Sequence, residues 1–114
     1  MSSKIATHDA PRVGENCFVL ENQTINFDVR IGNNVVIWSG CQIGDECVIG
    51  DHAWLSSHAV LAGQVTVGEY ALLGVNCTIS NYVRVGRKSF IGAAALITKD
   101  TAESGVYVEE ATRK

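Results

Sequence analysis

Residues 43–78 read IGDECV IGDHAW LSSHAV LAGQVT VGEYAL LGVNCT. Every sixth residue is Ile, Leu or Val. Read outward in both directions, the same frame holds from Val13 to Ile97 over fifteen blocks, beginning VGENCF, VLENQT, INFDVR, IGNNVV, IWSGCQ and ending ISNYVR, VGRKSF, IGAAAL, ITKDTA. Val, Ile and Leu make up 29 of the 114 residues, so a run of fifteen has a chance probability of roughly one in a billion. The fifth position is small or β-branched in every block but one, where it is Gln23. Eight of the eleven glycines stand in the second position.

A period of six has a direct physical reading. The fifth and first positions point inward and the sixth, between them, points outward, which is strand alternation over three residues. The second, third and fourth positions then turn a corner, where Gly, Asn, Asp and His suit unusual backbone angles. Three short strands and three corners close an 18-residue triangular coil. The expected fold is therefore all-β, a parallel β-helix of about five triangular coils over residues 13–102. Residues 1–12 are expected to cap one end and residues 103–114 the other.

Composition narrows the function classes. The chain is one domain of 114 residues with 9 Lys plus Arg against 12 Asp plus Glu, a formal charge of −3. That mild acidity argues against nucleic-acid binding. No apolar run approaches 18 residues and MSSKIATHDA has no signal-peptide core, so no membrane span or export is expected. Cys17, Cys41, Cys47 and Cys77 all occupy the inward fifth position, as small hydrophobes do. Cys41 and Cys77 share a column but lie two coils apart, about 9.6 Å, too far for a disulfide. A reducing, cytoplasmic setting follows from that usage.

The 18-residue coil also sorts the outward residues into three columns. One reads Phe18, Val36, Trp54, Leu72, Phe90, an apolar stripe expected to drive self-association into a closed oligomer.

The repeat resembles the left-handed parallel β-helix family of hexapeptide-repeat acyltransferases, trimeric enzymes that use acetyl-CoA. Within it, IGNNVVIWSG, CVIGDHAWLSSHAVLAG, VTVGEYALLGVNCTIS and VGRKSFIGAAALITKDT are similar to the branch that acetylates sialic acids and amino sugars. The resemblance implies a left-handed helix, a homotrimer and acetyl-CoA as co-substrate with no metal. It also implies transfer of an acetyl group to a hydroxyl or amine. Many members carry an N-terminal nucleotide-sugar-binding domain. Here the repeat starts almost at once, so the acceptor is expected to be held by the prism and its neighbours or by a separate chain.

The branch's catalytic histidine follows the segment that reads SGCQIG here, and the matching position is Asp45, followed by Glu46. A histidine suits proton removal near neutrality, whereas an aspartate of ordinary pKa about 3.9 is a weaker base. Either Asp45 with Glu46 takes the role, or another residue does, or the protein is a catalytically degenerate trimer that binds or scaffolds. His58 is the substitute base favoured by position. It stands on the corner column that also carries Trp38, Ser39, Ser57, Asn76 and Ala94, and Trp54 occupies a position where some relatives have a second site histidine. Trp38, Ser39, Trp54 and Ser57 are accordingly the expected acceptor contacts. His52 and His58 also fit as plain corner residues. For acetyl-CoA, the corners Gly74-Val75-Asn76 and Gly92-Ala93-Ala94 would lie along pantetheine, with Lys99, and Arg113 or Lys114, meeting phosphates. A gamma-type carbonic anhydrase would need three converging histidines, and the prism carries only His52 and His58, on different corners.

Overall fold

The computed structural model describes residues 5–6 and 12–108; residues 1–4, 7–11 and 109–114, with His8, Arg113 and Lys114, lie outside it. Its seventeen strands include no helix between them, and all but Gln23–Ile25 are two residues long. They stack into three parallel ladders, one per side of a triangular prism. Each strand pairs with the one 18 residues on, as in Val36↔Trp54 and Trp54↔Leu72. We name the sides by their first outward residues. The Phe18 face runs from Phe18–Val19 to Val106–Tyr107, the Thr24 face from Ile5–Ala6 to Leu96–Ile97, and the Arg30 face from Arg12–Val13 to Arg84–Val85. The final coil is two residues short, since Phe90 pairs with Val106. It is closed by Ser89 Oγ, which donates to the Ala102 carbonyl at 2.9 Å, and by the Ala102 N–H, which donates to the Tyr107 hydroxyl at 2.7 Å.

The core is the first-position column wrapped by the fifth. Ile25, Ile37, Ile43, Ile49, Leu55, Leu61, Leu73, Ile79 and Ile91 are fully buried, and Cys41, Cys47, Ala53, Ala59, Ala71 and Cys77 fill the spaces beside them. Each large aliphatic contributes about 1.5–3 kcal/mol by leaving water. The apolar stripe stays outside. Phe18 is 51% exposed and Leu72 37%, with Trp54 and Phe90 between them.

Corner chemistry differs from the sequence expectation in one respect. The left-handed backbone sits at the fourth position alone, from Asn16 (φ 58°) through Ala94 (φ 63°) at fourteen successive corners. The second-position glycines do not have positive φ. They are there because the next coil passes too close for a side chain. A Cβ on Gly68 would lie 2.7 Å from the Arg87 nitrogen, and one on Gly74 2.7 Å from the Ala93 nitrogen. Clearance, not torsion, selects glycine at these sites. The strained fourth position yields a simple test. Ala94 holds φ 63° with a Cβ that costs about 1–2 kcal/mol there, so Ala94→Gly is expected to raise stability by ~0.5–1 kcal/mol after glycine's entropic cost. Urea unfolding measures it, and a loss of stability would contradict the torsional account.

The four cysteines are free thiols. Burial pushes Cys41 up from 9.0 to about 11 and Cys77 up to about 12, and raises Cys47 as well. A folded thiol whose pKa is raised stays neutral while its unfolded counterpart ionises near pH 9. The associated stability is therefore complete below about pH 9 and is lost as pH climbs toward 11–12. Below pH 9, native protein is expected to release one fast-reacting thiol, the half-buried Cys17, to an aromatic disulfide reagent, and all four in guanidinium. Rapid native labelling of Cys41 or Cys77 would refute their burial.

Candidate functional site

The three corner columns form three edges, and residues share an edge only when their numbers differ by multiples of 18. The edge between the Phe18 and Thr24 faces carries Trp38-Ser39-Gly40, Ser56-Ser57-His58, Gly74-Val75-Asn76 and Gly92-Ala93-Ala94. These corners rest directly on one another. The His58 N–H donates to the Ser39 carbonyl (3.0 Å), Asn76 N–H to Ser57 (3.1 Å) and Ala94 N–H to Val75 (2.8 Å). His58 is exposed, and its imidazole lies over Gly40, close enough that a Cβ on that glycine would stand 2.5 Å from Nδ1 and Cε1. Beside it, Trp38 meets Phe18 edge-on (6.2 Å between centroids, 81°) and Trp54 at a tilt (5.9 Å, 47°). Trp38, Ser39, Trp54, Ser57 and His58 thus come together around one corner and its adjoining face. Val75, Asn76, Ala93 and Ala94 continue the edge as an exposed strip, while Gly74 and Gly92 are buried in the stack.

Asp45 and Glu46 lie elsewhere. Thirteen residues separate Asp45 from His58, so Asp45 turns the next edge, between the Thr24 and Arg30 faces, together with Lys99. One chain does not bring His58, Asp45 and Glu46 into one cluster. Asp45 Oδ1 accepts from the Phe27 N–H at 3.2 Å, and Glu46 Oε1 accepts from Gln64 Nε2 at 2.9 Å. The Asp45 contact is a repeating device. Asn33, Asp51 and Asn81 each accept from the N–H 18 residues back in the same way, from Glu15, Asn33 and Gly63. On the His58 edge the third positions are Ser39, Ser57, Val75 and Ala93, so the Ser39, Ser57 and Val75 N–H groups have no such carboxamide or carboxylate cap.

The Asp45 edge also holds a notch of about 270 Å³ lined by Phe27, Asp45, Glu46, Gly63, Gln64, Asn81 and Tyr82. Gly63 makes it. A Cβ there would meet nothing nearer than 3.8 Å, and the residue has no positive φ. The sequence reading passed over this notch, and the available signal was a glycine in the third position of LAGQVT.

Residues 4–108 match the family model described as the GMPPB C-terminal domain, a hexapeptide-repeat module of the left-handed β-helix type. The chain belongs to that family. Among solved structures, this hexapeptide-repeat chain superposes on perosamine N-acetyltransferase from Caulobacter crescentus with a TM-score of 0.88 at 30% identity, over 91% of this chain and 50% of that one. That enzyme was crystallised with CoA and GDP-perosamine, including as histidine-substituted variants. The acetyltransferase domain of PglB from Neisseria gonorrhoeae gives the same TM-score at 17% identity, over 91% of this chain and 51% of that one, a likeness of fold. UDP-N-acetylglucosamine acyltransferase from Campylobacter jejuni gives 0.55 at 26% identity, over 79% of this chain and 38% of that one. The hexapeptide-repeat chain thus spans about half the length of the first two relatives. Among curated proteins, none matches it significantly in sequence.

The third edge of this hexapeptide-repeat domain carries His52, whose ring stacks on Tyr70 at 4.6 Å and 14°. Among the described residues no three His, Cys, Asp or Glu side chains are grouped to hold a metal ion.

Proposed function

We propose that this domain is an acetyl-CoA-dependent acetyltransferase that passes the acetyl group directly to a hydroxyl or amine of a sugar or amino sugar. The observation that carries the reading is the make-up of the His58 edge. An exposed imidazole there stands in line with a strip of small corner residues and with backbone N–H groups that lack the caps found on the other edges. The likeness to a perosamine N-acetyltransferase supports the reaction class.

In this reading the acceptor lies against Trp38, Ser39, Trp54 and Ser57. His58 takes the proton from its hydroxyl or amine as the oxygen or nitrogen attacks the thioester carbonyl. The N–H groups of Ser57 and Val75 face the developing oxyanion. Collapse breaks the C–S bond, and the proton passes from His58 to the departing CoA thiolate. Val75, Asn76, Ala93 and Ala94 line the pantetheine arm. Lys99, on the neighbouring edge, offers a point charge for a phosphate. The exposed stripe Phe18, Val36, Trp54, Leu72, Phe90 is the seam of a homotrimer. Asp45 and Glu46, on another edge of the same chain, reach an acceptor at His58 only across that subunit boundary.

A second reading, a degenerate trimer that binds without catalysis, is favoured by one observation. The carboxylate of Asp45 is engaged as a corner cap like those of structural asparagines. Isothermal titration of acetyl-CoA, with desulfo-CoA as control, tests the first reading. One site per chain is expected, and no binding up to millimolar ligand overturns it. New transferase activity appearing only in Asp45→His would favour the degenerate reading.

A further inference from the structure

Two irregularities in an otherwise uniform repeat meet at a single corner. Gln23 is the one fifth-position residue that is neither small nor β-branched, and Gly40 is the one glycine in a fourth position. Both act on Trp38-Ser39-Gly40, the corner on which His58 stands.

The Gln23 side chain is buried at 2% exposure and every polar atom of its carboxamide is used. Nε2 donates to the Trp38 carbonyl at 2.7 Å and to the Leu20 carbonyl at 2.9 Å, and Oε1 accepts from the Cys41 N–H at 2.9 Å. At the three later corners of this edge the corresponding ends bond directly, residue four to residue one. Ala59 N–H donates to Ser56, Cys77 to Gly74 and Ala95 to Gly92, at 3.2–3.3 Å. At the Trp38 corner the Gln23 carboxamide is inserted into that bond, holding both ends with shorter hydrogen bonds.

Gly40 supplies the second part. Its φ of 79° does not call for glycine, because thirteen other corners hold larger residues at φ 58–68°. Ala94, on the same edge three coils later, is one of them. What excludes a side chain at position 40 is the His58 ring itself, which a Cβ would meet at 2.5 Å. The backbone of His58 is pinned to the same corner through Ser39.

We infer that Gln23 and Gly40 are positioning residues that build a rigid seat for the His58 imidazole. Gln23 clamps the corner from inside the prism and Gly40 leaves the space in which the ring lies. The inference rests on the reading of His58 as the base. It also makes a claim about where the ring sits that stands or falls separately.

Gly40→Ala is the discriminating variant, since Ala94 demonstrates that the backbone accepts alanine there. Histidine ring resonances are followed by heteronuclear NMR, with those of His58 identified by their loss in His58→Asn. In Gly40→Ala the His58 ring signals are expected to shift while those of His52 and the melting temperature stay in place. The kcat for acetyl transfer should fall about 10²-fold, with KM for acetyl-CoA unchanged. Gln23→Leu, which keeps bulk and removes the carboxamide, is expected to shift or broaden the same signals. If that variant does not fold, Gly40→Ala decides alone. His58 signals in Gly40→Ala that superpose on those of the unmodified protein overturn the seat. Shifted signals with unchanged kcat overturn the positioning role. A protein inactive from the outset overturns the base reading, and the NMR comparison still settles the seat.

Discussion

Replacing His58 by alanine is expected to lower acetyl transfer by about 10²- to 10⁴-fold, the contribution of a positioned general base, while leaving the fold intact. The side chain is exposed and takes no part in the core, and its backbone bond to Ser39 survives the substitution. Its φ of 62° is one that alanine already holds at Ala94. Loss of rate with an unchanged melting curve is therefore the signature of chemistry. The comparison variant is Asp45→Asn, which preserves a cap for the Phe27 N–H as Asn33 and Asn81 do for theirs. It is expected to transfer acetyl groups at close to the original rate. If Asp45→Asn abolishes transfer and His58→Ala does not, the chemistry belongs to the notch around Gly63 and the assignment of the base to His58 is wrong. Initial rates with acetyl-CoA across a panel of amino sugars make the measurement.

Leu55→Ala is expected to cost about 2–5 kcal/mol, a large share of the stability of a domain this size. Leu55 has no exposed surface and stacks between Ile37 and Leu73 in the ladder of the Phe18 face. The backbone above and below is held by strand pairing, so the site has little freedom to collapse onto the void. In a stack where each coil contacts only its neighbours, a cavity in a middle coil weakens two interfaces together. The contrasting change is Leu96→Ser, at a side chain 64% exposed on the Thr24 face, which should leave stability within about 0.5 kcal/mol. Guanidinium unfolding of both variants provides the test. Equal midpoints would mean that the first-position column does not carry the fold.

How much of this was legible beforehand depends on the range over which the physics acts. A period of six repeated fifteen times settles which residues face inward. Three blocks per turn then fix the coil at 18 residues, and from that follow the all-β class, the parallel register, the buried thiols and the apolar column at Phe18. All of these depend on alternation and chain closure, which are local and identical in every block. The role of glycine was misassigned because its reason is not local. At Gly68 and Gly74 the constraint is the backbone of the next coil, invisible within a block, whereas the torsional demand sits two residues further on and is met by Asn, His, Tyr and Lys alike. The candidate site divides along the same line. The corner column of His58 could be counted out in steps of 18. The depth of Gln23, the ring of His58 over Gly40, the capping role of Asp45 and the gap at Gly63 are contacts between successive coils, made by individual side chains that break the repeat. A repeating sequence determines its own average. Where one coil meets the next, only the folded stack decides which departure from that average becomes a clamp, a seat or an opening.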